Sequence, residues 1–362
     1  MKLIRYILFP LSILYGLITG LRNLLYNCKI MKGAKFDIPI ISVGNLSTGG
    51  TGKSPHVEYL VKLLSKEYNM ATLSRGYGRS KSGFHLVQAN STVKDCGDEP
   101  LQFKHKFPNA TIAVHKDRVN GIIELLRYKP QIDCVILDDA FQHRSIVPGF
   151  SILLTEYSRP YYKDWMLPTG NLREWAIGRS RATTILVTKC PENLSKADRA
   201  LVLKKINPAI EQTVYFSSFR YGRVIPLNKG NLYDSIAQLR DFEILLITGI
   251  ANPQPIIDKL NSEELNFKHI RFPDHHRFSS KDIKKIRKLF DTFDDKKLIL
   301  STEKDAQRLK ALKETTDLPI NYVEIEVFLL DDGVKFNNEI EDYVRQHKTD
   351  STIPEESDQF RT

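Results

Sequence analysis

The sequence contains few cysteines, and none is placed for a disulfide framework or a structural metal. Only four occur in 362 residues, and they form no C-x-x-C pair or metal-ligand spacing. This excludes disulfide-stapled secreted domains and zinc ribbons. Thiols that stay reduced are typical of proteins in contact with the cytosol, and we expect that location here. The four are Cys28, Cys96, Cys134 and Cys190.

An uncharged run long enough to cross a bilayer is also missing. The apolar N-terminal stretch has no charge between Arg5 and Arg22. As a helix it would be about 24 Å long, whereas a hydrocarbon core is about 30 Å thick. No small-x-small cleavage site follows, so a signal peptide is not predicted. The few polar residues fall on one narrow stripe, which predicts a helix over residues 1–27 that lies in a membrane interface. A buried core helix and a short spanning anchor are the alternatives.

Acidic residues are outnumbered by basic ones. The chain has 53 Lys+Arg against 43 Asp+Glu, a formal charge of +10. Such a charge suits nucleic acid, an anionic membrane face or a phosphorylated substrate, and does not choose among them. A hydrophobic content of 41% and a charged content of 27% are ordinary for a folded protein. The length allows about two domains, each with its own core.

Short apolar strands alternate with helical segments through the first 190 residues. This pattern predicts a parallel sheet covered by helices on both faces, with ligands bound at the carboxyl ends of its strands. The strand segments are IPIISV (38–43), MATLS (70–74), ATIAV (110–114), CVILDD (134–139), SILLTEY (151–157) and TTILVTK (183–189).

The predicted fold class is therefore α/β, in two domains. A P-loop-type, mostly parallel sheet domain is expected over residues 28–225, and a smaller α/β domain over residues 226–345. TVYFSSFRYGRVIPL and INYVEIEVFLL are expected to pair as a two-stranded ribbon that joins them. The polar tail over residues 346–362 is predicted to be disordered.

The segment GNLSTGGTGKSPH (44–56) follows the first strand and is rich in glycine. The phosphate-binding template G-x-x-x-x-G-K-[ST] fits at Gly52, Lys53 and Ser54, but Ser47 stands where the first glycine belongs. Strand, loop and helix start occur together, which predicts phosphate binding at the helix N-terminus. Lys53 would reach the β- and γ-phosphates, and Ser54 would offer a hydroxyl to Mg²⁺. A mobile glycine-rich turn is the alternative.

Paired acids occur at two further places. Asp138 and Asp139 end a buried strand, where a carboxylate completes Mg²⁺–nucleotide sites; a turn or a helix cap is the alternative. Asp98 and Glu99 lie in the tight turn KDCGDEP, where a solvated loop is an equally good reading.

Histidine and arginine supply the remaining candidates. In FPDHHRFS, histidine beside aspartate is a candidate proton-transfer pair, although an N-cap for the following helix explains the same residues. Guanidinium groups at strand ends suit phosphate recognition, although each alone is commonly a surface residue. The residues concerned are Asp274, His275 and His276, and in the loops Arg75, Tyr77, Arg79, Arg118, Arg173 and Glu174.

Taken together, GNLSTGGTGKSP, SRGYG, GDEP, LDDAFQH, LPTGNLRE, FPDHH and STEKDAQRL resemble one family, the tetraacyldisaccharide 4′-kinases of Gram-negative bacteria. The motifs run from residue 44 to about residue 310 in the order that the family shows, and the N-terminal apolar helix also fits. Two positions depart from the family pattern. Ala140 stands where glycine usually follows the paired acids, and Ser54 replaces the commoner threonine but keeps the hydroxyl.

The resemblance implies an activity, its cofactors and a location. The family transfers the γ-phosphate of ATP, with Mg²⁺, to the 4′-hydroxyl of lipid A disaccharide 1-phosphate, forming lipid IVA at the cytoplasmic face of the bacterial inner membrane. The expected partners are therefore this lipid and the membrane surface, and no nucleic acid; the oligomeric state stays open.

The resemblance also implies site residues. Asp98 matches the family's general base, and Lys53 and Asp139 complete the catalytic set. The histidine that orients Asp98 is placed at His275, with the adjacent His276 as the alternative. Ser54, Asp138 and Asp139 match the metal-binding positions. The nucleotide loop comprises Ser47, Thr48, Gly49, Gly50, Thr51, Gly52, Lys53 and Ser54, and the substrate-binding positions are Arg75, Tyr77, Glu99, Arg118, Arg173 and Glu174.

Two other functions fit parts of the sequence. A soluble P-loop kinase or ligase acting on a small metabolite would need no apolar N-terminal helix. A membrane-docked nucleotide switch would use TKCPE (188–192) as a base-reading loop, but that segment lacks the acidic residue after a single spacer that guanine selection uses.

Overall fold

The computed structural model describes residues 7–274, 276–294, 296–310, 312–330 and 333–350. The strands are β1 (Ile40–Asn45), β2 (Met70–Ser74), β3 (His85–Leu86), β4 (Thr111–Val114), β5 (Cys134–Asp138), β6 (Phe150–Glu156), β7 (Thr184–Thr188), β8 (Thr213–Pro226), β9 (Glu243–Thr248), β10 (Phe267–Arg271), β11 (Lys297–Thr302) and β12 (Ile320–Leu329). The α-helices are α1 (Phe9–Asn27), α2 (Lys53–Leu64), α3 (Val93–Cys96), α4 (Asp98–Lys106), α5 (Arg118–Tyr128), α6 (Lys196–Ile206), α7 (Gln254–Ser262), α8 (Ser280–Phe290), α9 (Glu303–Lys310) and α10 (Gly333–Asp350).

The chain forms two compact units. The first contains the residues up to Phe219 and those from Val327 onward, and the second is Arg220–Glu326. The chain leaves the first unit within β8 and returns within β12, and these strands are hydrogen-bonded neighbours. They are the two strands predicted to form the connecting ribbon.

The first unit is built on the sheet β8-β7-β6-β1-β5-β2-β4-β3. Its strands pair in parallel except for the short β3, which is antiparallel to β4. β1 lies between β5 and β6, so the strand order reverses at β1. In open α/β sheets ligands bind beyond the carboxyl ends of the strands at such a reversal. This topology directs attention to the segment that follows Asn45.

Alternating side chains of β1 bury into different cores, which explains why apolar residues of this strand occur on both of its faces. Ile41 and Val43 pack in the cluster that contains α2, whereas Ile40 packs with α5 on the opposite face. All β1 residues are buried. A strand covered on both faces therefore lacks the strict alternation of apolar and polar residues that a half-exposed strand shows.

The C-terminal helix α10 belongs to the first unit, although the sequence placed its residues in the smaller domain over 226–345. Phe336, Ile340 and Val344 recur every fourth residue and bury into the cluster of β1 and α2. This spacing gives a helix one apolar stripe, which packs against the first sheet. The helix continues to Asp350 and so includes the start of the tail predicted to be disordered.

The second unit is a smaller α/β layer. Its strands follow the order β10-β9-β11-β12, and the pairs along this order are parallel. Ile283, Ile286 and Phe290 of α8 bury against one face, while Ile256 and Leu260 of α7 bury against the other.

Helix α1 is hydrogen-bonded to the rest of the first unit through polar side chains and backbone carbonyls. Ser12 Oγ donates to Thr169 Oγ1 at 2.7 Å, and Tyr15 OH donates to the Arg173 carbonyl at 3.0 Å. The indole Nε1 of Trp175 donates to the Gly16 carbonyl at 2.7 Å.

The other side of α1 is apolar and open. Leu14, Leu17, Ile18 and Leu21 are 55–62% exposed. No helix among the described residues has both the length and the apolar character needed to cross a membrane. A row of exposed leucine and isoleucine on a fastened helix marks an interaction surface.

The close approach of Trp175 to α1 yields a stability prediction. A Cβ at Gly16 would lie 2.5 Å from Trp175 Cζ2, so Gly16→Val must displace the indole and break its hydrogen bond. We expect a loss of about 1–3 kcal/mol in the free energy of unfolding, measured by urea denaturation. The control is Gly20→Ala, whose Cβ would lie 3.4 Å from Trp175 Nε1. Wild-type stability of Gly16→Val would contradict the packing described here.

Candidate active site

A glycine turn, residues 47–54, joins β1 to α2 at the reversal point of the sheet. Gly52 is the N-cap of α2 and has a φ of +88°, a conformation that favours glycine. A Cβ at Gly52 would also lie 2.6 Å from the Phe219 ring. Lys53 and Ser54 therefore begin a helix whose N–H groups point into the turn, the arrangement that binds phosphate.

The turn is held in place from two sides. Thr48 N donates to the Asn171 carbonyl at 2.7 Å, and Ser47 forms a β-bridge with Leu172. From β7, Thr188 Oγ1 donates to the Thr51 carbonyl at 2.8 Å. Ser47 thus occupies bridged backbone, which a residue with a Cβ can adopt, and this explains why the template's first glycine is not needed.

Asn45, the last residue of β1, connects the turn to the charged groups. Its Nδ2 donates to Thr51 Oγ1 at 2.9 Å, and its Oδ1 accepts from Lys53 Nζ at 3.3 Å and from Arg173. The sequence interpretation assigned Asn45 no role. Its position directly before the turn, at a strand end, is the signal that could have identified it.

His56, in the first turn of α2, holds the glycine turn by hydrogen bonds, and the sequence did not predict this role either. Its Nδ1 lies 2.7 Å from the Gly52 carbonyl, and its Nε2 lies 2.9 Å from Ser217 Oγ. A carbonyl can only accept, so Nδ1 carries the proton and Nε2 accepts from the serine. Burial lowers the pKa of His56 to about 4, although the Gly52 hydrogen bond acts in the other direction. The imidazole is therefore neutral at physiological pH.

Asp139 is the acid that faces the turn. It follows β5 with a φ of +49°, which is uncommon outside glycine but tolerated by aspartate. Because the residue with positive φ is Asp139, Ala140 fits the turn with its Cβ. Arg173 Nη2 lies 2.8 Å and Lys53 Nζ 3.7 Å from Asp139 Oδ1. Burial alone would raise the pKa of Asp139, but Lys53 and Arg173 outweigh it and lower the pKa to about 2.

Asp138 has a different environment. It pairs in register with Val43 of β1 and is buried. Its Oδ1 has no hydrogen-bond partner among the described residues. Burial, followed by the nearby charges of Glu99 and Asp139, raises its pKa to about 7. An orphaned buried carboxylate oxygen is a position suited to a cation.

The oxygen atoms near Asp138 fit Mg²⁺. Ser54 Oγ donates to Glu99 Oε1 at 2.8 Å, so a hydroxyl and a second carboxylate lie beside the turn. No group of three or more His, Cys, Asp or Glu side chains suited to a metal occurs in the described part of the chain. Mg²⁺ is typically bound by one or two carboxylates together with substrate phosphates, and the donors present here match that pattern.

Asp98 and Glu99 form the first turn of α4. Asp98 is half-buried and precedes the residue that bonds Ser54. The structure therefore brings the turn of KDCGDEP to the same sheet edge as Lys53 and Asp139. His275, the predicted partner of Asp98, lies outside the described residues. Its neighbour His276 contacts Asp282 at 3.1 Å, within the capping box of α8.

The predicted substrate-binding residues have contrasting positions. Arg75 and Tyr77 are exposed on the loop after β2, and the Tyr77 side chain is 83% exposed. Arg118 is buried, and its guanidinium donates to the Asp138 carbonyl at 3.1 Å. Burial lowers the pKa of Arg118 to about 10, so its guanidinium stays charged at physiological pH beside Asp138. Direct contact of Arg118 with a substrate stays a prediction.

Glu174 is fully buried and connects α1 to the site. It pairs with Arg181 at 2.8 Å and accepts from Asn23 Nδ2 of α1 at 2.8 Å. Gln142 Nε2 donates both to Glu174 Oε1 at 2.9 Å and to the Asn45 carbonyl at 2.8 Å. Glu174 thus contacts α1, Gln142 and Arg181, and its contact with substrate also stays a prediction.

In the second unit, the segment STEKDAQRL has a structural role at the end of β11. Asp305 accepts from Gly249 N and from Thr302 Oγ1, each at 2.8 Å, and pairs with Arg308 at 3.0 Å. A Cβ at Gly249 would lie 3.4 Å from the Pro273 carbonyl. Asp305 thereby fixes the loop that packs against the start of the PDHH segment.

His56 gives a pH prediction. The unfolded chain binds a proton at its ordinary pKa of about 6.5, whereas the folded chain does not until about 4. Stability is therefore lost as the pH falls from 6.5 toward 4, by about 2 kcal/mol between pH 7 and pH 5. In His56→Gln, the free energy of unfolding should lose that part of its pH dependence.

The matched control is His85→Gln, at a half-buried histidine bonded to Ser91, which measures how far the loss of a histidine elsewhere changes the slope. An identical pH slope for wild type and His56→Gln would show that His56 does not titrate in this way.

The comparisons with known proteins agree over almost the whole chain. A family model described as Tetraacyldisaccharide-1-P 4'-kinase matches residues 4–345. The tetraacyldisaccharide 4'-kinase of Flavobacterium johnsoniae is 44% identical over 349 residues, covering 96% of this chain and 99% of that protein. Its namesake from Bacteroides thetaiotaomicron is 42% identical over 362 residues, covering 96% and 95%.

A solved structure has the same fold. LpxK from Aquifex aeolicus, described as an "apo" form in complex with ATP, aligns with a TM-score of 0.75 at 26% identity, over 94% of this chain and 99% of that one. The α/β architecture with its large, mostly parallel sheet is therefore shared.

Proposed function

The chain belongs to the tetraacyldisaccharide-1-P 4'-kinase family, and on that premise we propose how its residues carry out the reaction. The reaction is transfer of the γ-phosphate of ATP to the 4′-hydroxyl of a tetraacyldisaccharide 1-phosphate. The observation that carries the proposal is the convergence of Lys53, Arg173 and Asp139 on the glycine turn.

The glycine turn holds the nucleotide phosphates. Its backbone N–H groups and the N-terminus of α2 bind the anionic oxygens. Lys53, which lies 3.7 Å from Asp139, reaches the β- and γ-phosphates as a P-loop lysine does. Arg173, 2.8 Å from the same carboxylate, adds a second cation. Phosphoryl transfer depends mainly on such positioning and charge neutralisation.

Ser54, Asp138 and Asp139 are the residues that would hold Mg²⁺. When bound, the ion neutralises charge on the phosphates and fixes their geometry. The protein's own contribution is the orphaned Oδ1 of Asp138 and the hydroxyl of Ser54.

Asp98 acts as the general base that accepts the proton of the acceptor hydroxyl. A sugar hydroxyl is a weak nucleophile, and a carboxylate within reach of its proton assists the transfer. The position of Asp98 at the start of α4, beside the Glu99–Ser54 hydrogen bond, supports this role. His275 is proposed from the family resemblance to orient it.

The exposed face of α1 lies on the cytoplasmic side of the inner membrane, in the bilayer interface. Leucine and isoleucine side chains there would be buried among lipid headgroups and acyl chains. A soluble kinase of a small metabolite would have no use for this face, which is why we favour the lipid acceptor. The basic surface attracts both the anionic leaflet and the acceptor's 1-phosphate.

The assignment of the base predicts a selective loss of turnover. Asp98→Asn should lower kcat by about 10²–10⁴-fold, while ATP affinity stays within about twofold because no phosphate contact is removed. Transfer of radiolabel from ATP to the disaccharide in mixed micelles measures the first quantity, and equilibrium dialysis measures the second.

The control for Asp98→Asn is Asp241→Asn, an exposed carboxylate paired with Lys296 in the second unit, which should retain full activity. Wild-type turnover of Asp98→Asn would remove Asp98 from the mechanism.

The role of α1 predicts a loss of vesicle binding. The triple variant Leu14→Gln, Leu17→Gln, Leu21→Gln should partition into liposomes more than tenfold less than wild type, because each leucine contributes about 1.5–3 kcal/mol when buried. A matched triple of exposed apolar residues elsewhere, Leu201→Gln, Leu203→Gln and Ile210→Gln, should sediment with liposomes as wild type does. Equal losses in both triples would refute a specific role for α1.

A further inference from the structure

A cavity of about 510 Å³ opens beside the C-terminal end of α1. One wall is the segment from Tyr26 to Lys35, and the other is the loop 140–148 that follows β5. Ser42 and Ser151, on neighbouring strands, form its floor. We name it the α1 cavity. Its volume is in the range of small-molecule and cofactor sites.

The walls of the α1 cavity carry five cationic side chains and no carboxylate. Arg181 is paired with the buried Glu174, but the group as a whole carries an excess of positive charge, and arginine and lysine side chains recognise anions such as phosphate. The cationic residues are Lys29, Lys32, Lys35, Arg144 and Arg181.

The two arginines are fixed, whereas the three lysines are available. Arg144 Nη1 donates to the Asn23 carbonyl at 2.9 Å and its guanidinium lies 5.1 Å from the Tyr26 ring centre. Arg181 pairs with Glu174 and lies 4.5 Å from the Phe141 ring centre. No ion pair involving the cavity lysines is present in the described part of the chain, and all three are exposed.

Apolar side chains also line the opening of the α1 cavity, and some of them directly follow α1 in the chain. Met31 and Val147 line it and are 39% and 43% exposed, and Ile30 beside it is 71% exposed. A ligand that fits both features has an anionic head and an apolar body. That combination describes a membrane phospholipid better than a free phosphate or a nucleotide.

The α1 cavity is separate from the phosphate-transfer site. Neither the residues of the glycine turn nor Asp98, Asp138, Asp139 and Arg173 line it. It therefore does not compete with the nucleotide for the same side chains.

We propose that the α1 cavity binds the phosphate headgroup of an anionic phospholipid from the leaflet in which α1 lies, with the acyl chains along the exposed face of α1. This lipid is a resident of the bilayer and is distinct from the acceptor. The inference rests on the proposed membrane association, and it does not depend on the kinase reaction.

The first test compares vesicle binding with and without anionic lipid. Lys29→Gln, Lys32→Gln and Lys35→Gln are combined, and affinity is measured by sedimentation with phosphatidylcholine vesicles and with vesicles that also contain phosphatidylglycerol. Wild type should prefer the anionic vesicles, and the triple variant should lose that preference by roughly 100-fold, because each lysine near an anionic surface is worth about fivefold.

The charge-matched control removes three lysine charges from a surface away from the α1 cavity. Lys281, Lys285 and Lys288 are exposed on α8, and their replacement by Gln should leave the anionic preference at the wild-type level. A similar loss in both triples overturns the proposal, since net charge would then suffice.

The second variant distinguishes binding of a headgroup inside the α1 cavity from attraction by diffuse surface charge. Val147→Trp fills the opening of the α1 cavity and keeps every cation. The ratio of anionic to neutral vesicle affinity should fall toward that of the lysine triple. A wild-type ratio means that no headgroup enters the cavity, which overturns the proposal.

A kinase assay distinguishes the resident lipid from the acceptor. With the disaccharide in micelles of neutral detergent, the lysine triple should keep the wild-type KM for the acceptor. A raised KM there would assign the α1 cavity to the acceptor's own phosphate and overturn the proposal. If wild type itself forms no lipid product, the kinase assignment fails, while the vesicle measurements still decide the lipid site.

Discussion

The segment 171–175 imposes the constraint on which the first unit depends, because its residues bind the glycine turn and α1 in the same short stretch. Asn171 and Arg173 contact the turn and its acids. Glu174 and Trp175 contact α1. The two sets are adjacent in the chain, so α1 and the glycine turn are held at one fixed spacing.

This constraint matters because the two reactants come from different phases. ATP arrives from water, whereas the tetraacylated acceptor is a lipid. Proximity and orientation supply a large part of catalysis for such reactions. With α1 in the bilayer interface, as proposed above, its Tyr15–Arg173 and Trp175–Gly16 hydrogen bonds, at 3.0 Å and 2.7 Å, would fix the height of segment 171–175 above the membrane plane.

The sequence predicted the parts of this arrangement that depend on local pattern. Each of these parts is a short run of consecutive residues: the apolar strands, the glycine turn and the acids at a strand end. The parallel sheet brings the turn and the acids to the same edge, because the carboxyl ends of its strands lie together there. The contacts that join them are not local. Asn45 and Arg173 meet across 128 positions of sequence, and Tyr343 of α10 contacts Ile40 of β1 across 303 positions. A single sequence carries no signal for such pairings, and His56 looked like any other residue of a helix.

The two adjacent acids show how the fold assigns different tasks to identical side chains. Like charges so close, at a buried sheet edge, cannot both ionise without compensating cations. Asp139 has two, Lys53 and Arg173, and its pKa is lowered to about 2. For Asp138, burial and the charges of Glu99 and Asp139 outweigh Lys53 and Arg118, and its pKa rises to about 7. Asp139 is therefore the charged partner of the lysine and the arginine, whereas Asp138 has no such cation beside its Oδ1. Among the described residues that oxygen has no hydrogen-bond partner, so of the two acids Asp138 is the one whose ionisation a bound cation would favour.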